Sequence, residues 1–227
     1  MSIHPFWRKT VFSLVFWGCG LFLLLTALAM LAYPGGTFSD SATRGYSFFE
    51  NFFSDLGMSV SHSGQVNHLS RLLFTVAMNF AGLGMVFFFL AFWQFFRQVA
   101  FTRLLSRLGS SLGVLAGVCF IGVAFTPHDL YLDAHAEFVR WAFRLFPLAV
   151  LCYALAMVRA QYSRREQVVF VVFFGLLVAY LLLLEFGPSV ESYHGMLIQA
   201  VGQKIIVFAS IISIMLQATA ARKLASK

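Results

Sequence analysis

The side chains best suited to chemistry are concentrated between positions 122 and 144, in the segment GVAFTPHDLYLDAHAEFVRWAFR. An apolar run ends there at Pro127, and a short loop follows that is rich in possible acids, bases and metal ligands. These residues are His128, Asp129, Asp133 and His135, and the next apolar run adds Glu137, Arg140 and Arg144. No other segment of the sequence places so many ionisable groups so close to hydrocarbon, so we expect the functional site here.

Imidazoles and carboxylates at this spacing raise the hypothesis of a metal site. Zinc accepts such ligands, with three from the protein and one water when the site is catalytic. The spacing H-D-x-x-x-D-x-H is no established ligand signature, so the sequence leaves zinc or another divalent cofactor open. The candidate ligands are His128, Asp129, His135 and His194, with His68 as a further histidine on the same side.

The same residues are candidates for acid–base catalysis. An imidazole titrates near neutral pH, so His135 or His128, with Asp129, could serve as a general base. Serine hydrolysis would need Ser54 or Ser192, but neither lies in a nucleophile elbow. A bis-histidine haem needs facing histidines deep in helices, and these lie at the ends of the apolar runs. The three cysteines form no C-x-x-C motif and are expected to be packing residues.

The composition predicts a membrane protein. The sequence is 60% hydrophobic and 11% charged, with a mean hydropathy of +0.82, which excludes a soluble domain. A bilayer core of about 30 Å takes about 20 helical residues, and only helices or closed barrels satisfy the backbone in lipid. Six apolar runs are long enough, and too long for barrel strands. We predict one all-α domain over 1–227, with transmembrane helices at about 11–33, 70–95, 108–126, 137–158, 168–186 and 195–218.

Charge predicts the orientation of these helices. Basic residues cluster at both ends of the chain and in the second and fourth connections, a side that is cytoplasmic by the positive-inside rule. The opposite side holds every acid except Glu166 and every histidine except His4. We therefore expect both termini in the cytoplasm of a plasma-membrane protein with an extracytoplasmic functional face. The net charge of +7 then reflects topology and implies no nucleic-acid partner.

The first helix resembles a signal peptide, because residues 27–29 read Ala-Leu-Ala. The apolar run continues to Tyr33, which is longer than such a signal requires, so we expect the helix to be retained. The outer loop that follows spans about 37–67. Its segment 46–57 carries Phe48, Phe49, Phe52 and Phe53 at helical spacing, which predicts a short amphipathic helix at the outer interface or capping the bundle. Asp55 would lie at the membrane surface.

Polar residues also recur on faces of the predicted helices. A charge at the centre of a transmembrane helix costs about 2.5–3.5 kcal/mol, so these groups are expected to pair inside the bundle or reach the outer surface. We predict an outward-facing polar cavity enclosed by the second, fourth, fifth and sixth helices, with a purely stabilising ion-pair network as the alternative. The candidate ligand-binding residues are Asp55, Arg71, Asn79, Asp133, Glu137, Arg140, Arg144, Gln203 and Lys204.

Small residues mark the third helix as a packing centre. Gly109, Gly113 and Gly117 recur every fourth residue, a spacing that lets helices approach closely in lipid.

Three segments together resemble a known family: Phe53-Ser-Asp-Leu-Gly57, residues 122–135 and residues 195–204. They resemble the bacterial and archaeal six-helix membrane proteins called domain of unknown function 998. The family pattern implies roles for Ser54 and Asp55, for Pro127, Asp129 and His135, and for Gln203 and Lys204. This chain departs from it with His128 between proline and aspartate, and with Gln-Lys where an acid–arginine pair is commoner. The family has no established activity. A more distant similarity to eukaryotic proteins of GPI-anchor lipid remodelling implies a lipid ligand.

Three functions remain open at this point. The first is binding of a lipid headgroup or a small anionic molecule in the polar cavity, since arginine suits phosphate and carboxylate. The second is an intramembrane metal- or histidine-dependent lipid hydrolase or transferase. The third is a non-catalytic subunit that binds a membrane-protein partner. A transporter is disfavoured because the sequence contains no inverted repeat and no matching broken helices.

Overall fold

The computed structural model describes residues 6–226, apart from the side chain of Arg8, so His4 lies outside the described residues. Within them, six helices are long and apolar enough to cross a membrane, which confirms the predicted all-α six-helix fold. We number them α1 Val11–Ala32, α2 His68–Phe92, α3 Ala100–Phe125, α4 Leu132–Arg159, α5 Arg164–Phe186 and α6 Tyr193–Leu224. A 3-10 turn, Trp93–Phe96, continues α2.

The helices form a closed ring. Each packs against its neighbour in sequence, and α6 packs against α1. The connections α1–α2, α3–α4 and α5–α6 meet at one end, which we call the loop end. There the backbone N–H of Ser59 donates to Asp129, and Tyr193 Oη donates to Glu50 across 2.9 Å. At the opposite end, the tail end, Gln94 Nε2 donates to the carbonyl of Trp7 across 2.7 Å.

Glycines bring α2, α3 and α4 into close contact, as the sequence predicted. A Cβ on Gly82 of α2 would lie 2.8 Å from the carbonyl oxygen of Gly117 on α3. A Cβ on Gly109 would lie 2.9 Å from the Tyr153 ring of α4, and one on Gly113 would collide with the Phe89 ring. The glycine stripe therefore lets α3 pack closely against α2 and α4.

Aromatic side chains fill the tail-end half of the ring. Phe88, Phe89, Phe92 and Tyr153 are fully buried, and the rings of Phe92 and Tyr153 lie 5.0 Å apart. The Ser110 hydroxyl donates to the carbonyl of Phe89 across 2.6 Å and lies 2.7 Å from Tyr153 Oη. This satisfies the polar tip of the tyrosine within an apolar core.

The loop-end half of the ring is covered by the α1–α2 connection. The predicted short helix is present but is a 3-10 helix restricted to Phe53–Gly57, which we call the loop helix. Its residues Phe53 and Leu56 are buried against the bundle, whereas Phe49 lies in the preceding turn and is 61% exposed. The helix therefore caps the bundle.

Candidate functional site

The loop helix positions a buried carboxylate at the loop end. Asp55 is 3% exposed. Its Oδ2 accepts hydrogen bonds from Asn51 Nδ2 and from the backbone N–H of Phe52, each at 2.9 Å. His128 Nε2 lies 3.1 Å from Oδ1, and His62 Nε2 lies 3.5 Å from Oδ2. Four groups from two connections therefore surround one carboxylate.

Three imidazoles lie together around Asp55, and we call His62, His128, His135 and Asp55 the polar cluster. The ring centroids of His62 and His128 are 6.4 Å apart, and those of His128 and His135 are 5.6 Å apart. His62 and His128 keep about a fifth of their side chains exposed, at 18% and 20%. The cluster is therefore accessible at its histidine edge and closed at its carboxylate.

The partners of each imidazole define which nitrogens remain free. His135 Nδ1 lies 2.7 Å from the carbonyl oxygen of Thr126, which can only accept, so Nδ1–H is the donor. In the neutral ring, Nε2 is then the nitrogen without a proton. His62 and His128 use Nε2 toward Asp55. Among residues 6–226, no hydrogen bond engages Nδ1 of His62 or His128. Two unpaired ring nitrogens at a partly exposed edge can meet a ligand or water.

Hydrogen bonds keep Asp55 ionised. Burial alone would raise its pKa, but the hydrogen bonds from His128, His62 and Asn51, together with the nearby imidazole charge, outweigh burial and hold the pKa well below its usual range. The carboxylate is thus a negative charge beside the imidazoles of His62 and His128.

Asp129 fixes the position of His128. Its carboxylate accepts the backbone N–H groups of Ser59 at 3.0 Å and Val60 at 3.1 Å, and also the Ser59 hydroxyl. Burial raises the pKa of Asp129, and these hydrogen bonds lower it further than burial raises it. The α3–α4 connection is thereby tied to the α1–α2 connection next to His128.

Gln203 and Lys204 hold the loop helix from below. Gln203 Oε1 accepts the backbone N–H of Phe53 across 2.7 Å. Lys204 is 3% exposed and donates to the carbonyl of Asn51. Its Nζ lies 5.7 Å from the Tyr46 ring centroid and 5.7 Å from that of Phe53, so aromatic faces surround the charge. Both residues act on the loop helix as supports.

The arginines of α4 lie elsewhere. Arg140 pairs with Glu137 across 2.6 Å and Arg144 with Glu185 across 2.7 Å, and both arginine side chains are more than 40% exposed, at 44% and 43%. The guanidinium of Arg144 also lies 5.8 Å from the ring of Trp141. The charged stripe of α4 therefore faces outward, with its charges paired locally.

The remaining predicted ligand residues are also dispersed. Arg71 and Asp133 are exposed. Asn79 Nδ2 donates within α2 to the carbonyl of Thr75 across 2.8 Å. This corrects the expectation that Arg71, Arg140, Arg144 and Lys204 line one cavity, because the three arginines are exposed whereas Lys204 is buried under the loop helix. Of the predicted set, the structure brings Asp55, Gln203 and Lys204 to the same loop.

The predicted metal ligands do not form one site either. Both Asp129 oxygens accept protein N–H groups, and His135 Nδ1 is bonded to Thr126. His194 is exposed at the start of α6, against Tyr193. Throughout residues 6–226, no group of three or more His, Cys, Asp or Glu side chains is arranged to hold a metal ion. The set His128, Asp129, His135 and His194 therefore does not fit a shared zinc ion.

Two members of the site were missed from the sequence, His62 and Asn51. His62 is among the histidines predicted to lie on the side opposite the basic residues, but no pattern singled it out. His68, the further histidine considered for a metal site, is exposed at the first position of α2. His62 reaches Asp55 because the loop folds back at Gly36, whose φ is +82° and whose Cβ would collide with the backbone of His62 and Ser63. Asn51 Nδ2 closes the same turn by donating to the carbonyl of Gly36 across 3.0 Å.

Comparisons with protein-family models, curated proteins and solved structures found no match to this chain.

Proposed function

We propose that the protein binds an anionic group, the phosphate or carboxylate of a lipid headgroup or of a small molecule, at the polar cluster. One observation carries the proposal: a single buried carboxylate, Asp55, lies against two partly exposed imidazoles, His62 and His128, at 3.5 and 3.1 Å. One cationic partner neutralises a buried carboxylate. The second imidazole is therefore available to bind an anion.

The protonation of the imidazoles supplies the chemistry. With Nε2–H directed to Asp55, a protonated His128 presents Nδ1–H at the exposed edge, and an anion is the acceptor that suits it. Asp55 balances one imidazolium. The charge of a second imidazolium is balanced when an anion binds, so anion binding and proton uptake favour each other.

By the positive-inside rule, the proposed site faces the extracytoplasmic side, and we propose that the membrane is the plasma membrane. The tail end carries the basic residues Arg97, Arg103, Arg159, Arg164 and Arg165, in its connections and in the adjoining helix ends. The loop end carries Asp55, Asp129 and Glu191. A ligand would therefore reach the site from the outer leaflet or from the external solution.

The test compares lipid retention by matched histidine variants. Protein is released from nanodiscs of equal phosphatidylglycerol and phosphatidylcholine, and native mass spectrometry counts each adduct. Enrichment of the anionic lipid is expected for the wild type and for His68→Gln, an exposed histidine away from the cluster. His62→Gln and His128→Gln are expected to lose most of it. Equal enrichment in all four proteins would overturn the proposal.

A second arm separates the two sources of the anion. Inorganic phosphate is added to lipid-depleted protein, and the shift in melting temperature is measured for the same variants. Stabilisation that depends on His128 would assign the site to a small soluble anion. Anionic lipid retention with no response to phosphate would assign it to a headgroup.

One observation favours a catalytic alternative. The 3.1 Å contact between Asp55 Oδ1 and His128 Nε2 is the arrangement in which a carboxylate orients an imidazole as a general base. Neutral His128 Nδ1 would then take the proton of a water that attacks a lipid ester, and would return it to the leaving alcohol. Catalysis requires neutral His128 and so increases with pH, whereas anion binding weakens. Ester cleavage that is lost in His128→Gln would support the hydrolase.

A further inference from the structure

A cavity lies inside the ring of helices at hydrocarbon depth. It contains about 600 Å³ of empty space, counting the space at its open side. The lining side chains come from α1, α2, α3, α4 and α6, and almost all are apolar. They include Phe22, Met78, Met85, Phe120, Phe146 and Ile211.

Phe53 of the loop helix packs against the lining of this cavity. The ring of Phe53 lies 6.5 Å from that of Phe22, which lines the cavity, and 5.9 Å from that of Phe208. Phe53 is the first residue of the loop helix that carries Asp55. Gln203 and Lys204 lie beside Phe53 under the same loop helix, so these three side chains separate the loop helix from the cavity.

The lining decides the kind of occupant. Water in a cavity needs two to four polar partners. The one hydroxyl in the lining, that of Ser210, already donates to the carbonyl of Ile206 across 2.7 Å. At this depth the surrounding solvent is hydrocarbon, so what enters an open apolar cavity is an acyl chain. Met78 and Met85 add flexible, polarisable walls that adapt to such a chain.

We propose that the cavity holds an acyl chain of the lipid whose anionic headgroup binds the polar cluster. For the headgroup half this rests on the proposed function, and for the chain half it rests on the cavity alone. Moving a chain from bilayer to cavity exchanges one apolar environment for another. The selectivity among lipids therefore comes from the headgroup. The cavity packs against the acyl chain and limits its length.

The test labels the cavity with phosphatidylglycerol that carries a diazirine in its acyl chain. After irradiation of reconstituted protein, labelled peptides are mapped by mass spectrometry. Label is expected on cavity residues such as Met78, Met85 and Ile211. Label confined to lipid-facing positions would overturn the inference.

Gly84→Leu fills the cavity, since Gly84 lines it and a Cβ there meets nothing within 4 Å. Gly175→Leu is the matched control, because it too meets nothing within 4 Å but lies exposed on α5. Cavity labelling is expected to fall at least several-fold in the first variant and to remain in the second. Unchanged labelling in Gly84→Leu would overturn the inference.

A second pair of variants, one in the cavity and one outside it, keeps the test valid if Gly84→Leu fails to fold. Ile211 lines the cavity and is 8% exposed, whereas its neighbour Ile212 is 57% exposed. Ile211→Phe is expected to reduce the label while Ile212→Phe keeps it, with monodispersity by size-exclusion chromatography as the folding check for all four proteins. Equal labelling in this pair would contradict the cavity assignment.

The two proposals fail in different ways. Cavity labelling that is equal with phosphatidylcholine and phosphatidylglycerol probes, and unchanged in His128→Gln, would contradict the headgroup site and leave the chain site standing. Histidine-dependent enrichment of phosphatidylglycerol without cavity labelling would contradict the chain site alone.

Discussion

Asp55 and His128 are 73 positions apart in the chain, and Nε2 of the histidine lies 3.1 Å from Oδ1 of the aspartate. The contact joins the α1–α2 connection to the α3–α4 connection, so it forms only when folding brings these two connections together. It also places an ionised carboxylate beside an imidazole whose other nitrogen faces outward. The structural and functional roles of the polar cluster therefore depend on the same pair.

Asp55→Asn is expected to destabilise the protein at neutral pH. An amide keeps one acceptor and turns the other into a donor, so either the N–H groups of Asn51 and Phe52 or Nε2–H of His128 loses its acceptor. The loss in free energy of unfolding is expected to be about 1–3 kcal/mol, the cost of an unsatisfied buried group. Thermal denaturation in detergent at neutral pH measures it.

The same variant has a defined dependence on pH. The pKa of folded Asp55 lies below its ordinary value of 3.8, so its ionisation stabilises the protein above that value. This stabilisation is lost as the pH falls from the ordinary value through the lower folded one. The gap in melting temperature between wild type and Asp55→Asn should therefore narrow as the pH falls below about pH 4. A gap that widens over that acidic range would contradict the assignment.

Gln203→Ala is expected to loosen the loop helix. The variant removes the acceptor for the backbone N–H of Phe53, which then lies partly buried without a partner. Hydrogen–deuterium exchange over residues 52–57 should increase by an order of magnitude or more, since about 1.4 kcal/mol corresponds to tenfold. Gln65→Ala, at an exposed loop position, is the control and should leave that exchange unchanged.

Asp129 is a positioning residue for His128, and a graded pair of variants tests this. Asp129→Asn weakens the bonds from Ser59 and Val60, whereas Ser59→Ala removes only the hydroxyl and keeps both backbone N–H groups. Exchange at residues 59–60 should therefore rise more in Asp129→Asn than in Ser59→Ala. Anionic lipid enrichment should follow the same order. A larger effect of Ser59→Ala would contradict the view that Asp129 is held mainly by the backbone N–H groups of Ser59 and Val60.

A buried and a half-buried tyrosine at the tail end provide a stability test that is independent of the site. Tyr153 Oη lies 2.7 Å from the Ser110 hydroxyl, whereas Tyr162 Oη has no hydrogen-bond partner among the described residues. Tyr153→Phe is expected to cost about 0.5–1.5 kcal/mol, and Tyr162→Phe to cost nothing or to stabilise. Thermal denaturation of both variants checks the prediction, and a larger loss for Tyr162→Phe would refute it.

The helices were predictable from the sequence, whereas the contacts made by the connections between them were not. Long apolar runs specify membrane helices because lipid leaves the backbone no alternative, and the glycines of α3 specify close packing because only a missing side chain permits it. The path of the α1–α2 connection depends on turns such as that at Gly36, with φ of +82°. No periodicity in the sequence shows that this turn brings His62 to Asp55.

The charged stripe of α4 shows a second limit. Helical spacing correctly places Glu137 and Arg140 on one face, and they pair across 2.6 Å. The spacing does not show whether that face points into the ring or away from it. Local pairing allows these charges to remain at the outer surface, with 49% of Trp141 exposed beside them. The arginines of this stripe therefore need no buried partner. The expectation that they line a polar cavity was wrong, because they lie exposed and are paired locally.

The most direct test of the account measures the retention of phosphatidylglycerol relative to phosphatidylcholine as a function of pH, in wild type and in the His62→Gln, His128→Gln double variant. The pKa of Asp55 lies well below its usual range, so Asp55 keeps its charge between about pH 5 and about pH 8, and the account attributes any change in enrichment to the histidines. The account predicts that anionic lipid enrichment in the wild type increases severalfold as the pH falls, and that the double variant shows neither the enrichment nor its pH dependence. Enrichment that is independent of pH, or that survives in the double variant, would contradict a histidine-based anion site.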